Sequence, residues 1–152
     1  MSEQVEVLLV DDSQSDVKLT LHAIQAQSLP HRFKVLRDGE QVLQFLGSGP
    51  VPLLRLILLD LKLPKVNGFE VLKAVKADPR TWLVPVVILT SSSQERDIRM
   101  SYQLGANSYV QKPVDFDTFC AVIQEIRAYW LGTNKIPAGG HRGFEELNGV
   151  VT

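Results

Sequence analysis

The chain has 152 residues, enough for one domain and hardly for two. Its 45% hydrophobic content can fill a core, which excludes a disordered chain, and its charge (16 Lys+Arg against 17 Asp+Glu, formal net −1) shows neither the basic excess nor the basic stripe of a nucleic-acid binder. One cysteine, Cys120, excludes an intramolecular disulfide and suits a reducing cytoplasm.

Ser2, Glu3 and Gln4 precede a short apolar run, so the start lacks the basic segment and long apolar stretch of a signal peptide. No stretch approaches the ~20 apolar residues of a membrane-spanning helix. Val5–Val10 reads as a strand that ends in two aspartates. Gln14–Gln27 carries Val17, Leu21 and Ile24 at helical spacing, with Ser13 as N-cap. Arg32–Leu36 reads as a second strand and Glu40–Leu46 as a short helix, broken off by Gly47, Gly49, Pro50 and Pro52. Leu56–Leu59 is wholly apolar, as suits a strand buried on both faces of a parallel sheet. Leu61–Gly68 follows as a loop, and Phe69–Ala77 as a helix stopped by Asp78-Pro79. Pro85–Leu89 is a fourth strand, with proline tolerated at its first position. Gln94–Leu104 is a helix ended by Gly105, Ser108–Val110 a fifth strand, and Phe116–Trp130 the last helix. Strands alternating with helices predict a doubly wound α/β fold: a five-stranded parallel sheet, right-handed crossovers, and helices on both faces.

In such a sheet, ligands sit beyond the C-terminal ends of the strands, near the point where strand order reverses. After the first strand come Asp11 and Asp12, after the third Asp60, after the fourth Thr90, and after the fifth Lys112 and Pro113. Carboxylates gathered there repel one another and push one another's pKa up. A hard divalent cation relieves that conflict, and Mg²⁺ prefers carboxylate oxygens. A carboxylate beside Mg²⁺ is a competent nucleophile toward phosphorus. An ammonium (Lys112) and a hydroxyl (Thr90) suit the charge that a transferring phosphoryl group carries on its equatorial oxygens.

Leu8-Leu9-Val10-Asp11-Asp12, Leu59-Asp60-Leu61-Lys62-Leu63-Pro64, Asn67-Gly68, Leu89-Thr90-Ser91 and Tyr109-Val110-Gln111-Lys112-Pro113 resemble the five signature blocks of response-regulator receiver domains, over roughly Val5 to Trp130. The resemblance implies a flavodoxin-like sheet in the order 2-1-3-4-5. It makes Asp60 the phosphoacceptor of a two-component phosphorelay, with Thr90 and Lys112 on the phosphoryl group. It gives Mg²⁺ the ligands Asp11, Asp12, Asp60 and the Lys62 carbonyl. It also implies a cis Lys112–Pro113 bond and a Tyr109 that swings inward when the threonine moves. The Asp60–Lys65 stretch and the end Ala128-Tyr129-Trp130-Leu131, running to Ile136-Pro137, resemble the small single-domain regulators paired with bacterial phytochromes. On that reading residues 1–131 are the receiver and 132–152 a C-terminal extension with no output domain. The implied partner is a sensor histidine kinase such as a bacteriophytochrome, in the cytoplasm, with no nucleic acid and no membrane. Two positions depart from the pattern: Arg55-Leu56, where relatives often have Pro-Asp, and Asn67, where Asp is commoner.

Each residue has a plainer reading. Asp12 alone is a helix N-cap, Lys112 alone a solvated loop charge, Thr90 alone ordinary strand chemistry, and only their joint placement reverses this. Tyr109 and Cys120 taken alone are packing residues. His22, His31 and His141 lack metal-ligand spacing. A rival class is an aspartate-nucleophile phosphatase, but such enzymes carry a second Asp two residues after the nucleophile, where Lys62 stands. A receiver that no longer takes phosphate is disfavoured by the full set of site residues. On the last helix, Phe116, Cys120 and Ile123 are the expected core side, while Phe119, Val122, Ile126, Tyr129 and Trp130 carry apolar surface further round than one sheet-packing stripe needs. A homodimer interface is favoured over a tail folded back on that face.

Overall fold

A computed structural model describes residues 5–25 and 32–137. Predicted features at residues 1–4, 26–31 and 138–152, including the end of the first helix, His31, His141 and most of the C-terminal extension, lie outside the described residues.

The strands are β1 (Val7–Val10), β2 (Phe33–Leu36), β3 (Leu56–Leu59), β4 (Val86–Thr90) and β5 (Ser108–Gln111), all parallel, in the order β2-β1-β3-β4-β5. Every residue of β1, β3 and β4 is buried, which is why these segments read as unbroken apolar runs. Side chains alternate across the sheet. Leu8, Val10, Ile57, Leu59, Val86 and Ile88 pack against α2 (Gly39–Gly47) and α3 (Gly68–Ala77). Val7, Leu9, Leu56, Leu58, Val87 and Leu89 pack against α1 (Gln14–Gln25) and α5 (Phe116–Arg127). α4 (Glu95–Gln103) lies beside α3 and buries only Ser101. The doubly wound α/β reading and its strand order hold.

Ser13 caps α1 as expected, its Oγ accepting from Asp16 N at 3.3 Å. Side-chain caps also place two helix starts that the apolar pattern missed. Asp38 Oδ1 accepts from Gln41 N (2.8 Å) at the head of α2, and Asn67 Oδ1 from Glu70 N (3.1 Å) at the head of α3. α3 therefore begins at Gly68, inside the predicted loop.

The last helix corrects the sequence reading of its core side. Asp115 caps it by accepting from Thr118 N at 3.0 Å, and Phe119, Ile123 and Ile126 turn inward onto the sheet. Phe116 is 53% exposed and Cys120 half-buried. The helix does not stop at Trp130 but widens into a π-helical turn, Ala128–Thr133. Arg55, one of the departures from the receiver pattern, holds that turn: its Nη2 donates to the Leu131 carbonyl at 2.5 Å while Nη1 pairs with Glu6 Oε2 at 3.5 Å.

Candidate functional site

β1 and β3 are neighbours where the strand order reverses. Val10 pairs with Leu59, and Asp60 N donates to the Val10 carbonyl at 2.9 Å. The residues that follow, Asp11 and Asp60, therefore leave the sheet side by side at its C-terminal edge. Thr90 closes β4 opposite Gln111, and Lys112 N donates to the Thr90 carbonyl at 2.7 Å. Register alone thus brings Asp11, Asp60, Thr90 and Lys112 to one edge, and all four are buried.

Lys112 organises them. Its Nζ donates to Asp60 Oδ2 (2.8 Å), Asp11 Oδ2 (2.9 Å) and Asp16 Oδ2 (2.9 Å). An ammonium has three N–H bonds, so all are committed. The other oxygens of the two buried aspartates are held by backbone: Asp11 Oδ1 accepts from Ser13 N (2.9 Å) and Asp60 Oδ1 from Lys62 N (3.2 Å). Thr90 Oγ1 is buried with no hydrogen-bond partner among the described residues. Asp12 is exposed next to Asp11.

Burial raises the Asp11 pKa above the usual carboxylate range, outweighing the Lys112 hydrogen bond and charge and the Ser13 N–H that lower it. Burial opposes the Lys112 ammonium too, but its hydrogen bonds and charge pairing with Asp11 and Asp60 prevail and hold its pKa above that of an ordinary lysine. Asp11, Asp16 and Asp60 share this single ammonium, with Asp12 beside them. That surplus of carboxylate at an edge with hard oxygen donors fits a divalent cation such as Mg²⁺. As the chain stands, no three metal-ligating side chains among the described residues already form a cage; Asp11 and Asp60 converge on Lys112 instead.

The sequence profile of the response regulator receiver domain matches residues 7–124. This chain belongs to that family. The receiver is 40% identical to the probable methanogenesis regulatory protein FilR2 of Methanothrix harundinacea, over 86% of each chain. It is 38% identical to the response regulator Rcp1 of Synechocystis, over 87% of this chain and 92% of that one. The crystal structure of Rcp1 in its Mn²⁺-bound form superposes with a TM-score of 0.81 over 90% of this chain and all of the other, at 37% identity. That of the phosphorylated cyanobacterial phytochrome response regulator RcpA gives 0.82 over the same shares, at 34% identity. The chain is thus a receiver of two-component signalling, similar to single-domain phytochrome regulators.

The receiver's surroundings qualify several sequence expectations. Tyr109, half-buried against the α2–α3 side of the core, donates from its hydroxyl to the Ser92 carbonyl at 2.9 Å, tying β5 to the loop after Thr90. Burial raises its pKa. The Ser92 Oγ in turn donates to Asp97 Oδ2 at 2.6 Å, which ties that loop to the first turn of α4. Lys62 keeps an exposed side chain and engages Asp60 through its backbone N–H. The expected cis Lys112–Pro113 bond is not found. No cis peptide occurs among the described residues, and the bond takes the trans form that is the commoner one even before proline. Asp16 is the residue that sequence reasoning missed. An Asp in the first turn of a helix reads as ordinary helix-end electrostatics, and nothing local points to a partner 96 positions away.

Proposed function

We propose that this receiver takes a phosphoryl group onto Asp60 from the phosphohistidine of a sensor histidine kinase, and that the modification shifts its surface between two conformations. The observation that carries the reading is the Lys112 ammonium bridging Asp60 and Asp11 beside the unpartnered Thr90 hydroxyl. An Asp60 carboxylate oxygen attacks phosphorus, the bond from phosphorus to the imidazole nitrogen breaks, and its electron pair leaves on that nitrogen. The product is a mixed anhydride, the aspartyl phosphate. Lys112 pairs with the transferred group's oxygens and Thr90 donates its hydroxyl to another, so both act where charge lies in the transition state. Asp11, Asp12, Asp60 and the Lys62 carbonyl would hold Mg²⁺, which supplies charge neutralisation between carboxylates and phosphoryl. The Mn²⁺-bound form of Rcp1 and the phosphorylated state of RcpA support both elements by similarity.

The output follows from Thr90. Turning its hydroxyl toward the phosphoryl group moves the loop that carries the Ser92 carbonyl, to which Tyr109 is hydrogen-bonded. A local charge event thereby biases a two-state surface formed by that loop, α4 and β5. Residues 1–131 act as the receiver, and 132–152 extend it. The kinase is of bacteriophytochrome type, the setting cytoplasmic, and the active form a homodimer through the last helix; no membrane or nucleic-acid partner is needed. Among the described residues no helix is long and apolar enough to cross a membrane. The chain is a switch rather than a turnover enzyme, because the place of a phosphatase's acid/base aspartate holds Lys62. Incubation with Mg²⁺ and acetyl phosphate should label the protein, and Asp60→Asn should abolish the label. Full labelling of the Asn variant would overturn the site, and steady hydrolysis of small phosphate esters would favour the phosphatase.

A further inference from the structure

We infer that Asp16 is a positioning residue that restrains phosphorylation: it occupies the third N–H of Lys112 and sets negative charge at the site entrance, slowing transfer from small anionic donors. The inference rests on the reading of Asp60 as phosphoacceptor and adds a residue to it.

Three observations support it. The first is stoichiometric. Lys112 spends one N–H each on Asp11, Asp16 and Asp60, at 2.8–2.9 Å, so none is left for an arriving phosphoryl group. One of the three bonds must give way before Lys112 can stabilise the transferring oxygens. The second is exposure. The Asp16 side chain is 29% accessible against 2% for Asp11 and 10% for Asp60, so Asp16 is the outermost of the three carboxylates. Of the carboxylates that hold Lys112, it is the one that presents most of its charge to a donor arriving from solvent. The third is rigidity. Asp16 is fixed in the capped first turn of α1, its N–H donating to Ser13 Oγ (3.3 Å) and its carbonyl accepting from Thr20 Oγ1 (2.8 Å). It therefore holds the ammonium from a firm base.

The plainer account is that Asp16 only complements the start of α1, where an acidic residue is favourable. That account makes no demand on Lys112. The two differ in what the neutral isostere does. In Asp16→Asn a carboxylate is lost while size and helix position are kept. The amide is a weaker acceptor for the ammonium, and one negative charge leaves the entrance.

In the reaction with acetyl phosphate, an Asp60 oxygen attacks phosphorus, the bond from phosphorus to the acyl oxygen breaks, and acetate leaves with the electron pair. The dianionic donor approaches against the charge of Asp16. Asp16→Asn should raise kcat/KM for acetyl phosphate by about threefold or more at low salt, through KM more than through kcat. The gain should shrink as salt screens the charge over a Debye length of about 10 Å at 0.1 M. It should be smaller for the less charged donor phosphoramidate. Asp16→Glu, which keeps the charge, should show the wild-type salt dependence. A readout without turnover is beryllofluoride, which mimics the phosphoryl group. Calorimetry in Mg²⁺ should find it bound about threefold or more tighter by Asp16→Asn, with the thermal unfolding midpoint of the variant near that of the wild type.

An unchanged or lower kcat/KM in Asp16→Asn, with the same salt dependence as the wild type, would overturn the inference while wild-type labelling at Asp60 still upholds the site. Failure of the wild type itself to label would instead overturn the underlying reading. Should Asp16→Asn unfold at a lower temperature, Asp16→Ser provides a second neutral side chain for the same kinetic comparison.

Discussion

Lys76 Nζ donates to the Trp82 and Val84 carbonyls (3.1 and 2.8 Å) and to Asn107 Oδ1 (3.1 Å). Lys112 also spends three N–H bonds, but on carboxylates, and the two lysines shift in opposite directions. Burial without a compensating charge lowers the Lys76 pKa to about 8. Unfolded, the side chain titrates near 10.5. Between those values the unfolded chain binds more protons than the folded one, so stability rises with pH across the interval. Below pH 8 the fold bears the full penalty of a poorly solvated ammonium, and above it the penalty is relieved. Lys112 is common to the wild type and to a Lys76→Met variant, so its titration cancels from the difference between them. Lys76→Met cannot titrate, so it differs from the wild type by an offset that changes with pH. The wild type's stability relative to this variant should rise by about 1–3 kcal/mol from pH 7.5 to pH 10. Thermal melts of both proteins in that range check it, and a difference that stays flat contradicts the assignment. Neither Lys76 nor Asp16 was legible in the sequence, since each takes its character from groups that only the fold brings near. Asp60, Thr90 and Lys112 were legible because they end apolar strands, and strand ends in a parallel sheet share an edge.

The head of α3 couples a helix to the loop that carries Asp60. Gly68 N donates to the Leu61 carbonyl at 2.9 Å, and a Cβ on Gly68 would lie 2.5 Å from both the Asp60 carbonyl oxygen and Leu61 Cα. Those neighbours are backbone and cannot rotate aside. Gly68→Ala must therefore move either the helix start or the Asp60–Leu61 segment, disturbing the Asp60 carboxylate held by Lys62 N. It should destabilise the protein by about 2 kcal/mol or more and slow Asp60 labelling. Asn67→Ala, one residue away, removes only the cap on Glu70 N. It should cost about 1 kcal/mol, a fall of roughly 2–4 °C in midpoint, and leave labelling near the wild-type rate. Equal labelling defects in the two variants would show that the close approach of Gly68 is not what positions Asp60. At this scale the strands were easy to read, because burial on both sheet faces leaves continuous apolar runs. Helix phase was harder. Apolar residues ring so much of α5 that either Phe116 or Phe119 could open the buried stripe, and packing on the sheet and α1 selects Phe119. Capped starts such as Asp38 and Asn67 were hidden by the glycines that follow them, which read as breakers.

At the scale of the whole fold, exposed apolar residues among those described bear on the proposed homodimer. Tyr129 is 49% exposed and packs edge to face on Trp130, with ring centroids 4.9 Å apart and planes at 87°. Both aromatics stand on the π-helical turn that Arg55 anchors through Leu131. The described start of the extension does not run over them. Ile136 and Pro137 line a groove with Val5, Phe45 and Val51, residues tied to the α2 side, while α5 packs on the α1 side. An apolar surface held rigid, with the adjoining chain led elsewhere, suits association better than self-coverage, because little side-chain freedom remains to be lost on binding. Tyr129→Ala combined with Trp130→Ala should therefore lower the mass found by light scattering from that of a dimer toward that of a monomer, while acetyl phosphate still labels Asp60. Arg55→Ala should weaken the dimer less, since it loosens the platform without removing the aromatic surface. A wild-type protein that is monomeric at every concentration, with and without phosphodonor, would rule out the interface on this helix.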